Sequence, residues 1–110
     1  MIEIISENYQ FDMAYFNRVV AFICKELAIE GNATIKIGEE AESQNLNKQY
    51  RNKDYPTDVL TFPLNEKLPD GSSYLGDIFI CEQVMVKQAK EAGISEKVEL
   101  TTLITHGLLH

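Results

Sequence analysis

Glu96-Lys97-Val98-Glu99-Leu100-Thr101-Thr102-Leu103-Ile104-Thr105-His106-Gly107-Leu108-Leu109-His110 closes the sequence, and its spacing predicts a helix. Leu100, Ile104 and Leu108 form one apolar line along it, while Glu99, Leu103, His106 and His110 form a second. A helix apolar on more than one side is ordinarily buried between layers. This one is therefore expected at the centre of the fold, with its histidines at the edge of a core. Burial there disfavours imidazolium and leaves ring nitrogens available as ligands. Ser95 stands at the N-cap position, and Glu96 suits the positive end of the helix dipole.

His106 and His110 are the only histidines, four positions apart. On a helix that spacing stacks them on one face, where both imidazoles can meet one cation without distorting the backbone. The same spacing also arises in pairs of solvated or partly buried histidines, and two ligands alone hold zinc poorly, since catalytic sites normally use three plus a water. Position 107 is glycine, where the metalloprotease helix motif carries its glutamate base. The glutamate on which peptide hydrolysis by that mechanism relies is thereby missing from the motif, which argues against that activity. A carboxylate base would have to come from elsewhere, and Asp58, Asp77 and Glu99 are the candidates, each with a structural alternative. Asp58 suits a turn cap beside Pro56, Glu99 a solvated helix position, and Asp77, inside an apolar strand, needs a partner.

Working back from the last helix, Leu75 to Cys81 reads as a strand whose Gly76 marks a bulge or a close backbone approach, and Glu82 to Ala92 as a helix ended by Gly93. Val59 to Phe62 is a strand expected to stop at Pro63, followed by an open loop from Leu64 to Tyr74, expected to be the most mobile part of the chain. Ile2 to Ile5 and Ala33 to Ile37 are β-branched and alternating, hence strands. Phe11 to Ile29 carries a three-and-four apolar stripe, with Gly31 and Asn32 turning the chain after it. Glu39 to Arg51 reads as a polar helix with acidic residues in its first turn and Lys48 and Arg51 in its last. The sum is an α/β (α+β) single domain over residues 1–110, a mixed sheet of about four strands packed with helices.

Composition narrows the function classes. The 110 residues are 45% hydrophobic and 25% charged, ordinary for a globular domain. No apolar run approaches the ~20 residues of a membrane span. The first residues, Met1-Ile2-Glu3-Ile4-Ile5, lack the basic flank of a secretory signal, so a cytoplasmic location is expected. Cys24 and Cys81 are too far apart for a metal motif and suit reduced, structural thiols. A net charge of −7 opposes bulk electrostatic binding to RNA or membrane. Any RNA must be gripped locally, and Lys48, Arg51 and Lys53 form the cluster suited to it, with Arg51 as a planar fork for phosphate.

Three segments together resemble one family. Leu46-Asn47-Lys48-Gln49-Tyr50-Arg51-Asn52-Lys53-Asp54-Tyr55-Pro56-Thr57-Asp58-Val59-Leu60-Thr61-Phe62-Pro63 is similar to the signature of the YbeY endoribonucleases, the rRNA maturation factors of bacteria. Leu75 to Cys81 resembles their second motif and Thr105 to His110 the opening of their third, in the family's order. The resemblance implies one Zn2+ held by three histidines in a domain that cuts single-stranded RNA, with roles in small-subunit rRNA maturation and ribosome quality control. Its partners would be rRNA and the small ribosomal subunit or associated proteins. Carried over by position, His106 and His110 are the first two zinc ligands, and Arg51 is the residue tied to RNA and catalysis. The family's third histidine follows six positions after the second, in a Gly-Tyr-Asp-His segment, and the sequence stops before it. On this resemblance, residues 1–110 are expected to form a single YbeY-like metal-dependent hydrolase domain lacking its C-terminal end. Two other classes stay open: a non-catalytic ribosome-associated binding module, and a metal hydrolase of a non-RNA substrate.

Overall fold

The unbroken apolar run Ile78-Phe79-Ile80-Cys81 is buried throughout, the mark of a strand covered on both faces. A computed structural model, which describes residues 1–109, places this strand inside a four-stranded sheet. The elements run β1 (Ile2–Ser6), α1 (Met13–Glu26), β2 (Asn32–Gly38), α2 (Glu40–Arg51), β3 (Val59–Lys67), β4 (Ser73–Cys81), α3 (Glu82–Ala92) and α4 (Glu96–Leu109). The sheet order is β1-β2-β4-β3; β1, β2 and β4 are parallel and β3 is antiparallel to β4. The expected mixed α/β domain of four strands is the architecture found.

Strand alternation divides the core. Ile4, Ile35, Ile37, Ile78 and Ile80 pack with Phe16 and Val20 of α1, Met85 of α3, and Leu100, Leu103 and Ile104 of α4. Leu60, Phe79 and Cys81 face the other way, toward Leu46 of α2. Helix α4 touches α1, α3, β3 and β4, so it is the central helix its pattern predicts. Leu100, Leu103 and Ile104 are each essentially fully buried, and each contributes about 1.5–3 kcal/mol over an exposed position. Ser95 caps the helix by accepting from the Val98 amide at 3.1 Å.

Three expectations need correction. Helix α1 starts at Met13 because Asp12, extended and accepting from the Tyr15 amide at 3.0 Å, caps it. It ends at Glu26, with Ala28 left-handed at φ 54°, before Gly31 is reached. Pro63 does not stop β3. The strand lies at the sheet edge, where a missing N–H is tolerated, and it runs on to Lys67 with a register shift between Pro63 and Glu66. The stretch expected as an open loop is therefore mostly paired strand, closed by a turn in which Leu68 N donates to Ser72 O at 2.7 Å. Gly76 makes the close approach its position suggested: at φ 139°, an added Cβ would collide with the Phe62 carbonyl oxygen. Finally, His106 is exposed rather than at the edge of the core, because it falls between the buried positions of α4.

Candidate functional site

The α4 side of the site is set by a glycine. A Cβ on Gly107 would come within 2.8 Å of the Ile78 side chain, so only glycine lets the helix lie this close to β4. Gly107 and Leu108 thereby line a cavity of about 240 Å³ with Thr61, Pro63 and Ile78. His106, one position earlier, turns its side chain toward solvent and has no hydrogen-bond partner among the described residues. Its nitrogens are available to a ligand. His110 lies outside the described residues. Among the described residues no three His, Cys, Asp or Glu side chains converge as a metal site. Among the described residues the single imidazole of His106 falls short of a zinc site, which takes three or four ligands.

On the opposite face, α2 is tied down by its polar side chains. Ser43 and Asn47 are buried. Ser43 Oγ donates to Thr57 O at 2.9 Å and accepts from Thr57 N at 3.0 Å. Asn47 Nδ2 donates to Tyr55 O at 2.8 Å, and Asn52, left-handed at φ 58°, ends the helix. These bonds fix the connection from Asn52 to Asp58 and with it the exposed Arg51 and Lys53. Lys48 lies 3.9 Å from Asp54, with both side chains well exposed, an ion pair worth little.

Beside Arg51, Tyr50 meets Phe62 edge to face, with ring centroids 5.1 Å apart at 70°. The two rings wall a cavity of about 360 Å³ over the open sheet face, with Thr34, Lys36, Asp77 and Phe79 among its lining residues. Asp77 is exposed here, and the partner a carboxylate in this strand requires is Tyr74, whose hydroxyl donates to it. Thr34 Oγ1 lies 2.8 Å from the same hydroxyl. Desolvation, and then the bond to Asp77, raise the Tyr74 pKa. Lys36 Nζ is 3.0 Å from both Glu7 and Glu42; its bonds to Glu42 and then Glu7 raise its pKa.

The site residues thus fall on two faces. His106 belongs to the α4 side and Arg51 to the α2 side, and no hydrogen bond or ion pair joins them among the described residues. Yet the helices reach one level of the β3–β4 hairpin, since Gly107 meets Ile78 while Tyr50 meets Phe62, the pairing partner of Asp77. Asp77 faces the α2 side, away from His106. Asp58 Oδ1 accepts from Val59 N at 2.7 Å and Thr57 Oγ1 at 3.3 Å, a use that starts β3. Glu99 is half-buried in the first turn of α4. Sequence reasoning passed over Tyr50 and Phe62. The signal was present: Leu46 and Tyr50 share one helix face, and Leu60 and Phe62 share one strand face.

The fold and these two faces define a small α/β domain with a basic, polar-anchored helix end and a histidine-bearing central helix. The chain matches the family model described as Endoribonuclease YbeY over residues 2–110, and it belongs to that family. It is 37% identical over 119 residues to the Endoribonuclease YbeY of Macrococcus caseolyticus, covering 99% of this chain and 77% of that protein. It is 39% identical over 99 residues to that of Stenotrophomonas maltophilia, covering 86% of this chain and 62% of the relative. For the relative from Methylobacillus flagellatus the identity is 40% over 84 residues, and the aligned part is 54% of its length. Among solved structures, the solution structure of TM1509 from Thermotoga maritima superposes with a TM-score of 0.71 at 30% identity, covering 100% of this chain and 71% of that one.

Proposed function

We propose that this protein is an endoribonuclease that cuts single-stranded RNA and acts in the cytoplasm in small-subunit rRNA maturation and ribosome quality control. The observation that carries the reading is the family match across residues 2–110. Relatives named Endoribonuclease YbeY support the reaction class. No helix among the described residues is long and apolar enough to cross a membrane. His106 and His110 are the proposed ligands for a zinc ion, together with a third group that the described residues do not supply. When bound, such an ion supplies Lewis acidity toward a phosphate oxygen or a water. Arg51 offers a planar fork to the scissile phosphate and stabilises charge that builds on its oxygens. Lys53 and, more weakly, Lys48 hold neighbouring phosphates.

Cleavage of a single-stranded RNA, set beside its duplex, a phosphodiester of small size and a peptide, tests the reading together with elemental analysis. The expected outcome is internal cleavage of the single strand alone, with zinc content and cleavage both lost in His106→Ala. Arg51→Lys is expected to lose more than tenfold, because the fork and not the charge is removed. Retained zinc and retained cleavage in His106→Ala would sink the assignment. Recovery of ribosomal components without any cleavage would point instead to a binding module.

A further inference from the structure

We propose that the groove between α2 and the open sheet face takes one unpaired base of the RNA strand, stacked on Tyr50 and set edge-on to Phe62, with Asp77 accepting from an amino group on the base edge. The inference rests on the endoribonuclease reading and adds a subsite on the face opposite His106. Tyr50 is 60% exposed although it sits in an edge-to-face pair with Phe62. Phe79, which lines the groove with it, is already buried in a cluster with Leu60 and Cys81, so an aromatic ring at Tyr50 is not needed to seal the core. A cavity of about 360 Å³ suits a small planar group rather than a macromolecular surface.

Charge selects which part of a nucleotide enters. Among the described residues that line the groove the one cation, Lys36, is held at 3.0 Å by both Glu7 and Glu42, and Asp77 adds a carboxylate. A phosphate is repelled from such a floor. A neutral base is not: its face stacks on Tyr50 while its edge meets Phe62, which stands at 70° to Tyr50, and its amino hydrogens meet Asp77, whose Oδ1 is fixed by Tyr74 and whose other oxygen has no partner among the described residues. The flanking phosphates then lie outside, beside Arg51 at the end of the same helix and Lys53 just past it, both exposed. Cytosine, whose N4 amino group is the donor that carboxylates read, is the favoured base.

The test is equilibrium binding of a short fluorescent 2′-O-methyl oligocytidine, which resists cleavage, to the full chain and its variants. Tyr50→Ala is expected to weaken binding roughly tenfold, as for loss of one stacked base, and Tyr50→Trp to restore it. Asp77→Asn is expected to erase the preference for oligocytidine over oligouridine. Melting curves show whether each variant keeps its fold, which the exposure of Tyr50 favours. If Tyr50→Ala binds within twofold of the parent, the groove is not a base site and the proposal falls alone. If the parent chain binds no RNA, the endoribonuclease reading falls and takes the groove with it.

Discussion

At the scale of single residues, Gly107 shows how packing overrides a chemical motif. The position that carries a glutamate base in metalloprotease helices lies here against Ile78, so the lack of that glutamate, legible in the sequence, has a steric cause that was not. Gly107→Ala places a methyl group 2.8 Å from Ile78. Overpacking costs about 1–3 kcal/mol, and the better helix propensity of alanine returns about 1 kcal/mol. A net loss of about 1 kcal/mol is expected, read as a lowered urea midpoint; a raised midpoint would show that Ile78 yields. Lys36 gives a prediction in pH. Its bond holds the Glu7 carboxyl below the ordinary 4.5, and Glu42, then Glu7, hold its own pKa above 10.5. The depressed acid stabilises above its unfolded pKa and loses this as pH falls through the folded value; the raised base stabilises below 10.5 and loses this as pH rises through its folded value. The stability difference between the parent and Lys36→Met should therefore be flat at neutral pH and shrink at both extremes.

At the scale of elements, α2 is where a correct boundary concealed a wrong emphasis. Glu39 to Arg51 is helical as the sequence indicates, with Glu39 as its cap, but a polar helix leaves open which polar residues meet solvent. Ser43 and Asn47 do not, because the connection after the helix folds back and offers them backbone groups. Sequence periodicity registers apolar faces, and a face buried through hydrogen bonds escapes it. Asn47→Ala strands the Tyr55 carbonyl and is expected to cost about 1–3 kcal/mol. Gln44→Ala, which loses exposed bonds to Asp54, should stay within about 0.5 kcal/mol. Chemical denaturation of the pair checks the contrast, and equal losses would mean that burial of Asn47 is not what holds the connection. β3 failed for a related reason: whether Pro63 ends a strand depends on which edge is free, and sheet order is a property of the assembled fold. The helix with strong periodicity in apolar residues, α1, and the run at β4 were legible because each carries its own burial signal. The candidate site was legible as residue types, His106 and Arg51, and not as two faces of one hairpin, since that hairpin depends on a turn at Leu68 to Ser72 within a stretch that reads as an open loop.

At the scale of the whole molecule, charge limits how RNA can be held. With a net charge of −7, the chain repels a polyanion over most of its surface, and three of its ten cations lie within Lys48 to Lys53. Lys48 is shared with Asp54, so two or three phosphates are the most this end of α2 can neutralise. Each phosphate contact on a single strand contributes about 0.7 to the slope of log affinity against log salt. Titrations with a single-stranded oligonucleotide between about 50 and 200 mM salt should accordingly give a slope of roughly −1.4 to −2, and Lys53→Ala should flatten it by about 0.7. A protein that bound RNA through a broad basic surface would be far steeper, and a steep slope here would place the strand on cations other than these. A shallow slope with measurable affinity requires that stacking or a bound metal ion carry what phosphate contacts do not. Comparing the Tyr50→Ala and His106→Ala slopes then separates the two: removing a neutral stacking wall lowers affinity at every salt concentration and leaves the slope unchanged, whereas losing a divalent ion that touches phosphate changes the slope itself.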